Sequence, residues 1–282
     1  MQAQKDQDSQ GMRLLQGLQS LGKYVFTHQE AVTVAQVERI PQEQLNIILS
    51  NLTRRGLLLR LRRGLYAGIG SLPGQIQTHP FAIATRLAEP SAISHWSALQ
   101  YHGLTEQVPQ IITVSTPHKV YTPSMREAKH STRHAREIQG VWYEYIHVKQ
   151  EAFFGVELVW VDERFQIPIT DKERTVLDLF VFSSLFGGMG EVLSMVEEAM
   201  WMLNIKKLVE YAVRYNKKYV AKRLGWTLEH FGVAAEDLKP LLDISVVGYC
   251  PLDPQKPKLG RCNKRWMIQE NLIEQSDETI TS

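Results

Sequence analysis

The chain has 282 residues, of which 44% are hydrophobic and 22% charged, as in an ordinary globular protein. Its 32 lysines and arginines nearly balance 30 aspartates and glutamates, so the net charge alone indicates no acidic partner. With two cysteines, no CxxC pair, a polar N-terminus and no long apolar run, we expect a cytoplasmic protein. We predict no disulfide framework, no metal or other cofactor, and no membrane association.

The charges are unevenly distributed along the chain. Residues 11–68 hold eight cations against three carboxylates, a net +5. Residues 119–136 hold five cations against one carboxylate, a net +4. Since the whole chain carries +2, the remainder carries −7. This segregation indicates a polyanionic partner for particular segments.

The first helices are indicated by patterns between residues 11 and 41. A leucine stripe from Leu14 to Leu21 predicts a helix that Gly22 ends. Thr27 and Glu30 have the spacing of a capping box, which predicts a second helix over "HQEAVTVAQV". Pro41 then stands at the first turn of a third helix.

The sequence also predicts where the third helix ends and which secondary structure follows it. Its buried stripe is predicted at Leu45, Ile48, Leu49 and Leu52, and Gly56 ends it. The stretch "LRLRRGLY", residues 59–66, alternates leucine with arginine and predicts a β-hairpin with a glycine turn. The residues expected to pack it against the helices are Leu57, Leu59, Leu61, Leu65 and Tyr66. Three helices followed by a hairpin are the order of a winged helix-turn-helix.

The polar residues of this unit are candidates for DNA contact. Short or amide side chains on the third helix can bind base edges in the major groove, and hairpin cations can bind phosphates. The predicted DNA-binding residues are Gln42, Gln44, Asn46, Ser50, Arg54, Arg55, Arg60, Arg62 and Arg63. A solvated helix face beside a charged hairpin is the alternative. The order of elements, the caps and the local charge together favour DNA binding.

The fold class predicted from the whole sequence is α+β. We predict a disordered lead over 1–10, a winged helix-turn-helix over 11–70, a linker over 71–80, a C-terminal domain over 81–272 and a disordered tail over 273–282. In the C-terminal domain, two helices precede strands at "QIITVST", "VWYEYIHV", "VELVWV" and "FQIPIT". Four helical segments follow Thr170, so this mixed α/β domain ends in a helical region.

A second basic segment lies in the C-terminal region. Its cations are Lys119, Arg126, Lys129, Arg133 and Arg136. They could contact nucleic acid phosphates, but a solvated basic patch is the favoured interpretation. His130 and His134 are one helical turn apart, yet they have no third metal ligand nearby, so we predict no metal site.

Few residues favour an enzyme. The pair Ser94–His95 lacks a nucleophile elbow, and "FGGMGEV" lacks the lysine of a phosphate-binding loop. Glu157, Asp162 and Glu173 could make the acidic cluster of a nuclease. However, Thr170 and Glu173 have capping-box spacing, which explains that carboxylate without catalysis. We predict that the protein is not an enzyme.

Longer motifs resemble a known family. The segments "SAISHWSALQYHGLTEQVPQIITVST", "FFGVE", "ITDKERTVLDLF", "RLGWTLE" and "LDPQKPKLGRCNKRWMIQEN", with "GLLLRLRRGLY" before them, resemble the AbiEi-type antitoxins. These are transcriptional regulators of type IV toxin–antitoxin (abortive infection) systems. The resemblance extends from about Gly11 to Asn271, and the run 123–136 departs from the family pattern.

The resemblance implies a function. Such proteins bind inverted repeats in their own promoter through the N-terminal domain and repress transcription. Their C-terminal domain counteracts a nucleotidyltransferase-like toxin, and neutralisation need not involve a stable complex. The resemblance places the DNA contacts on the five arginines and third-helix amides given above. Two alternatives stay open: a ligand-sensing winged-helix repressor, and a DNA-tethered metal-dependent nuclease.

Overall fold

The computed structural model describes residues 2–68, 78–120 and 135–272, with side chains from residue 9 onward. These ranges contain ten α-helices and three β-sheets, which confirms the α+β fold class. The predicted tail and most of the predicted linker lie outside them.

The N-terminal elements alternate helices with a small sheet. They are α1 (Gln2–Ser20), β1 (Val25–Thr27), α2 (His28–Val37), α3 (Gln42–Arg54), β2 (Leu58–Arg62) and β3 (Leu65–Gly68). The sheet has the strand order β1-β3-β2, with both pairs antiparallel. Strand β1 was not foreseen, because three residues are too few for a readable alternation.

Local sequence signals explain where these helices begin and end. The predicted capping box is confirmed: Thr27 accepts the N–H of Glu30, and Glu30 accepts the N–H of Thr27. The predicted stripe of α3 is also confirmed, with Leu45, Ile48, Leu49 and Leu52 all buried. Gly56 follows α3 with φ +72°, a left-handed conformation that glycine adopts without strain.

Two details of this region differ from the sequence analysis. Helix α1 begins at Gln2, so residues 2–10 of the predicted lead are helical. No proline interrupts them, and the apolar stripe of α1 begins only later. In the hairpin, Leu58, Leu61 and Leu65 are buried, whereas Leu57 and Leu59 are half-buried. The cause is a register shift between Arg60 and Arg62, which breaks the simple alternation.

A six-stranded sheet forms the middle of the chain. This part of the chain contains, in order, α4 (Pro80–Leu87), β4 (Ala92–Ile93), α5 (His95–Tyr101), β5 (Ile111–Thr116), β6 (Ala135–Ile138), β7 (Val141–His147), β8 (Val156–Trp160) and β9 (Gln166–Thr170). The strand order is β6-β7-β5-β4-β9-β8. Strands β5 and β7 are parallel, whereas β6–β7 and β4–β5 are antiparallel.

The last part of the chain is a helical region that ends in a small sheet. It contains α6 (Lys172–Val181), α7 (Met189–Ala199), α8 (Ile205–Tyr215), α9 (Lys218–His230), α10 (Ala235–Leu242), β10 (Cys250–Pro251), β11 (Arg261–Asn263) and β12 (Ile268–Glu270). Trp266 is fully buried in its core. A Cβ at Gly225 would lie 2.1 Å from the Trp266 ring, so α9 needs glycine there.

The start of α6 corrects one prediction. Thr170 belongs to β9, and the N-cap of α6 is Asp171, whose carboxylate accepts the N–H of Arg174. The predicted capping box of Thr170 and Glu173 is therefore wrong. Glu173 is buried, where it accepts the N–H of Asn204 and pairs with Lys207.

Packing divides the chain into two compact units. The first contains residues 1–93, 110–148 and 158–168, and the second contains 94–109, 149–157 and 169–282. The units thus interleave along the sequence beyond residue 93. The predicted domains, by contrast, are continuous segments of the chain. Their assignment as a DNA-binding domain and an antitoxin domain stays a prediction. Within the described ranges, no helix is long and apolar enough to cross a membrane.

Candidate nucleic-acid interface

One face of α3 carries a row of exposed polar side chains. Gln42, Asn46 and Ser50 are exposed and are spaced by four residues, so they lie along the same side of the helix. Ile47, beside this row, is 50% exposed. The buried leucine and isoleucine stripe occupies the other side. Gln44 is half-buried and lies off the exposed row, which makes it a poorer candidate for base contact than the other three.

The C-terminal end of α3 presents cations. Arg54 and Arg55 are both exposed. The Arg54 Nη2 donates to Oδ1 of Asn51 at 2.7 Å, which holds that guanidinium against the last turn of the helix. Cations at a helix C-terminus are also favoured by the helix dipole. Either role, dipole stabilisation or phosphate contact, is compatible with this geometry.

The hairpin separates its leucines from its arginines. Leu58, Leu61 and Leu65 are each 1% exposed and fix the strands against the core of this region. Arg60, Arg62 and Arg63 are exposed, with Arg63 directly before the turn residue Gly64. The hairpin therefore holds three guanidinium groups in solvent on a rigid apolar base.

His28 joins the hairpin turn to the polar row of α3. Its backbone N–H donates to the Gly64 carbonyl oxygen at 2.8 Å, while its Nε2 lies 2.9 Å from Oδ1 of Asn46. A single residue at the start of α2 thus contacts both features. His28 therefore places the hairpin turn and the amide of Asn46 on either side of one residue, close enough for both to be candidates for contact with one DNA duplex.

A half-buried ion network supports the start of α2. The carboxylate of Glu30 accepts Lys23 at 2.6 Å and Arg86 at 2.7 Å, besides the N–H of Thr27. Burial raises the pKa of Glu30, but the Lys23 and Thr27 hydrogen bonds and the Arg86 charge outweigh it. The net result is a pKa below the ordinary 4.5. The ionised carboxylate of Glu30 therefore completes the cap at the start of α2.

The second basic segment reaches the hairpin at one residue. The Arg136 guanidinium donates to the carbonyl oxygen of Leu61 in β2, so strand β6 is tied to the hairpin within the first unit. Lys119 is exposed after β5. Arg126, Lys129 and Arg133, like His130 and His134, lie outside the described residues. The role of this segment in phosphate contact stays a prediction.

The nuclease alternative requires three carboxylates to bind a metal ion together, but each of them is either exposed or bonded to neighbouring protein groups. Glu157 is exposed on β8, and Asp162 Oδ1 accepts the N–H groups of Arg164 and Phe165. Glu173 is occupied by Asn204 and Lys207. In the described part of the chain, no three His, Cys, Asp or Glu residues are grouped to hold a metal ion.

Comparison with known proteins identifies a similar fold. The structure resembles the crystal structure of the RV2827C protein from Mycobacterium tuberculosis with a TM-score of 0.61 and 14% sequence identity. The similarity covers 92% of this chain and 90% of that chain, and at this identity it establishes the fold alone. Neither a protein-family model nor a curated protein sequence matches the chain.

The sequence did not reveal the contacts of two residues, His28 and Arg136, with the hairpin. The sequence placed His28 at the start of the second helix, but its contacts with Gly64 and Asn46 depend on the fold. The contact between Arg136 and Leu61 joins residues 75 positions apart, and no local pattern announces it.

Proposed function

We propose that residues 11–68 form a winged helix-turn-helix that binds duplex DNA, with α3 in the major groove and the β2–β3 hairpin as the wing. The observation that carries the proposal is the contact of His28 with both the hairpin turn and Asn46. It supports joint action of two features that the sequence alone could only place near each other along the chain.

The hairpin and the polar row of α3 have different roles in this proposal. Arg60, Arg62 and Arg63 contact phosphates, which supply most of the affinity and make it strongly dependent on salt. Gln42, Asn46 and Ser50 contact base edges, and each good contact contributes about 1–3 kcal/mol of discrimination. Because the hairpin leucines are buried, the backbone that carries the arginines is held before binding, which reduces the entropy lost on association.

We further propose that the protein is an autorepressor and antitoxin of a type IV toxin–antitoxin system. This step is supported by the family motifs in the sequence. The DNA target is then an inverted repeat in its own promoter, and the functional partner is a nucleotidyltransferase-like toxin. Co-expression of the full-length Arg62→Glu/Arg63→Glu variant with a nucleotidyltransferase-like toxin encoded by a neighbouring reading frame tests it, because growth rescue by a chain that no longer binds DNA separates neutralisation from repression.

Charge reversal at the wing tests the DNA-binding proposal. The affinity of the variant Arg62→Glu/Arg63→Glu for a duplex that spans the promoter should fall about 100-fold, because two phosphate contacts are replaced by repulsion. The matched control is Lys217→Glu/Lys218→Glu, which changes the net charge equally at two adjacent exposed lysines in the second unit. If both variants bind as tightly as the native chain, the proposal fails.

One winged helix covers few base pairs, so tight repression requires cooperation between two repeats. We expect gel shifts to show tighter binding per protein on a duplex with both repeats than on a duplex with one. Equal affinity on the two duplexes would exclude cooperativity while leaving the DNA contacts intact.

A further inference from the structure

A third concentration of positive charge lies near the C-terminal end of the described chain. Residues 254–265, "PQKPKLGRCNKR", contain five cations and no carboxylate. They are Lys256, Lys258, Arg261, Lys264 and Arg265, and all five side chains are exposed. This segment belongs to the second unit, whereas the hairpin arginines belong to the first. We call it the C-terminal basic loop.

The nearby carboxylates are occupied. Glu229 accepts Arg265 Nε at 2.8 Å with one oxygen and Trp266 Nε1 at 2.6 Å with the other. Glu270 Oε1 accepts Trp226 Nε1 at 2.8 Å and Asn263 Nδ2 at 3.1 Å. Asp253 is buried beneath the loop, where Oδ1 accepts the N–H of Gln255. These acids therefore serve the fold and leave most of the loop cations uncompensated.

Four cations of the loop are exposed and have no partner in the described part of the protein. Within the described ranges, the side chains of Lys256, Lys258, Arg261 and Lys264 make no ion pair or hydrogen bond with the protein, whereas Arg265 is paired with Glu229. Like charges repel one another unless a polyanion screens them, and this segment of twelve residues has five cations and no carboxylate of its own. Such a composition is typical of a surface that binds an anionic partner.

The backbone under these cations is rigidly held. The buried side chain of Asn271 accepts the N–H of Asp253 at 2.8 Å and donates to the carbonyl oxygens of Asp253 at 2.9 Å and Pro257 at 3.0 Å. Gln269 Nε2 donates to the Lys258 carbonyl oxygen at 3.1 Å. At Gly260, a Cβ would lie 2.2 Å from the Glu270 carbonyl oxygen, so the loop packs too closely for any side chain there.

A solvated loop needs no such clamp. Two prolines, the Asn271 amide and the Gly260 contact fix the loop, and its cations are exposed. A binding surface held in its bound conformation loses little entropy on association. The geometry is that of a preformed cationic surface.

We propose that the C-terminal basic loop is a second nucleic-acid site, which binds the phosphate backbone of a duplex through Lys256, Lys258, Arg261 and Lys264. The segment 254–265 contains no aromatic residue on which an unpaired base could stack, so the surface suits a duplex better than a single strand. Its contacts are independent of sequence, because lysine and arginine bound to phosphates carry no base readout.

The site is tested in full-length protein that carries Arg62→Glu/Arg63→Glu, so that binding through the hairpin does not mask it. Into this background we introduce Lys256→Gln, Lys258→Gln, Arg261→Gln and Lys264→Gln together. The probes are DNA and RNA duplexes of equal length and unrelated sequence, and the single strand of the same DNA. We expect affinity at about 0.1 M salt to fall at least 10-fold, and the slope of log affinity against log salt to fall by about 3 to 4 for four lost phosphate contacts.

The matched control replaces Lys206, Lys217, Lys218 and Lys239 by Gln, four exposed lysines of the same unit outside the loop. This control should keep the affinity and slope of its parent. A loss specific to the loop variant on either duplex supports the site, and the duplex affected identifies the nucleic acid. Equal behaviour of loop variant and control, or a loss on single strands alone, overturns it.

Single substitutions guard against misfolding of the fourfold variant. Each should lower the salt slope by about 1 without changing the melting temperature. Four single variants with the parent slope would also overturn the proposal. Because the experiment starts from a hairpin-defective chain, its failure leaves the proposed role of the hairpin untouched, and failure of the hairpin test leaves this site open to measurement.

Discussion

Arginine has opposite roles in two regions of the molecule. In the hairpin, Arg62 and Arg63 are exposed and stand on a base of buried leucines. In α6, the Arg174 side chain is 2% exposed and donates to Asp178, which is fully buried, and to the Ala152 carbonyl oxygen. The same guanidinium group is exposed in the hairpin, where we propose that it binds DNA, and is buried in the core of the second unit in α6. Charge read from sequence becomes informative about function only when burial is known.

The largest effect on stability is expected from removal of the buried arginine, Arg174. Arg174→Ala leaves the Asp178 carboxylate buried without its cation and should destabilise the second unit by about 3–5 kcal/mol. Lys172→Ala, on the same helix and half-buried, is the control and should change stability by less than about 1 kcal/mol. Chemical denaturation monitored by tryptophan fluorescence measures both. A loss below about 1 kcal/mol for Arg174→Ala would contradict the account of the core.

A buried histidine in the same unit should make stability depend on pH. His95 is 1% exposed, with Nδ1 2.7 Å from the Ser94 hydroxyl oxygen and aromatic contacts with Phe182 and Phe186. Burial lowers the pKa of His95 from 6.5 to about 4; the charge of Asp178 raises it and that of Arg174 lowers it further.

The unfolded chain therefore binds the proton more readily, so stability should fall as pH drops from about 6.5 to about 4. The loss amounts to up to about 3 kcal/mol. His95→Asn should flatten this dependence, because asparagine tolerates the positive φ of 54° at this position. His230→Gln, at an exposed histidine, should preserve it. An unchanged pH profile in His95→Asn would assign the effect to another group.

A smaller effect is expected at the base of the proposed DNA-binding surface. Thr27→Ala removes the side-chain cap of α2 and should cost about 1 kcal/mol. Thr33→Ala, at an exposed position of the same helix, should cost clearly less. If the cap also positions His28, Thr27→Ala should weaken promoter binding several-fold beyond its effect on stability. Binding equal to that of Thr33→Ala would mean that the cap acts on stability alone.

The comparison also explains what the sequence could predict. Local signals such as the Thr27–Glu30 capping box and the apolar stripe of α3 act within four residues, so they were readable. The exposure of Arg60, Arg62 and Arg63 was predicted for the same reason. The partners of the leucines were not, because the register shift between Arg60 and Arg62 depends on pairing with β3.

Long-range contacts were beyond sequence reasoning. The bridge from His28 to Gly64 and Asn46 requires the fold, as do the contact of Arg136 with Leu61 and the clamp of Asn271 on the basic loop. The charge of that loop was readable in principle, since residues 254–265 contain five cations and no carboxylate. The residues outside 11–68 and 119–136 together carry −7, and this sum conceals the local positive charge of the loop.

The central claim is that the hairpin tip and the polar row of α3 act on the same stretch of duplex. The most direct measurement attaches a DNA-cleaving reagent to Ser50→Cys or to Arg63→Cys, each in a Cys262→Ser background, because Cys262 is an exposed free thiol. On a promoter duplex with one repeat, both reagents should cut within one helical turn, about 10 base pairs. Cuts spread along the whole duplex, or confined to two separate sites, would contradict the claim.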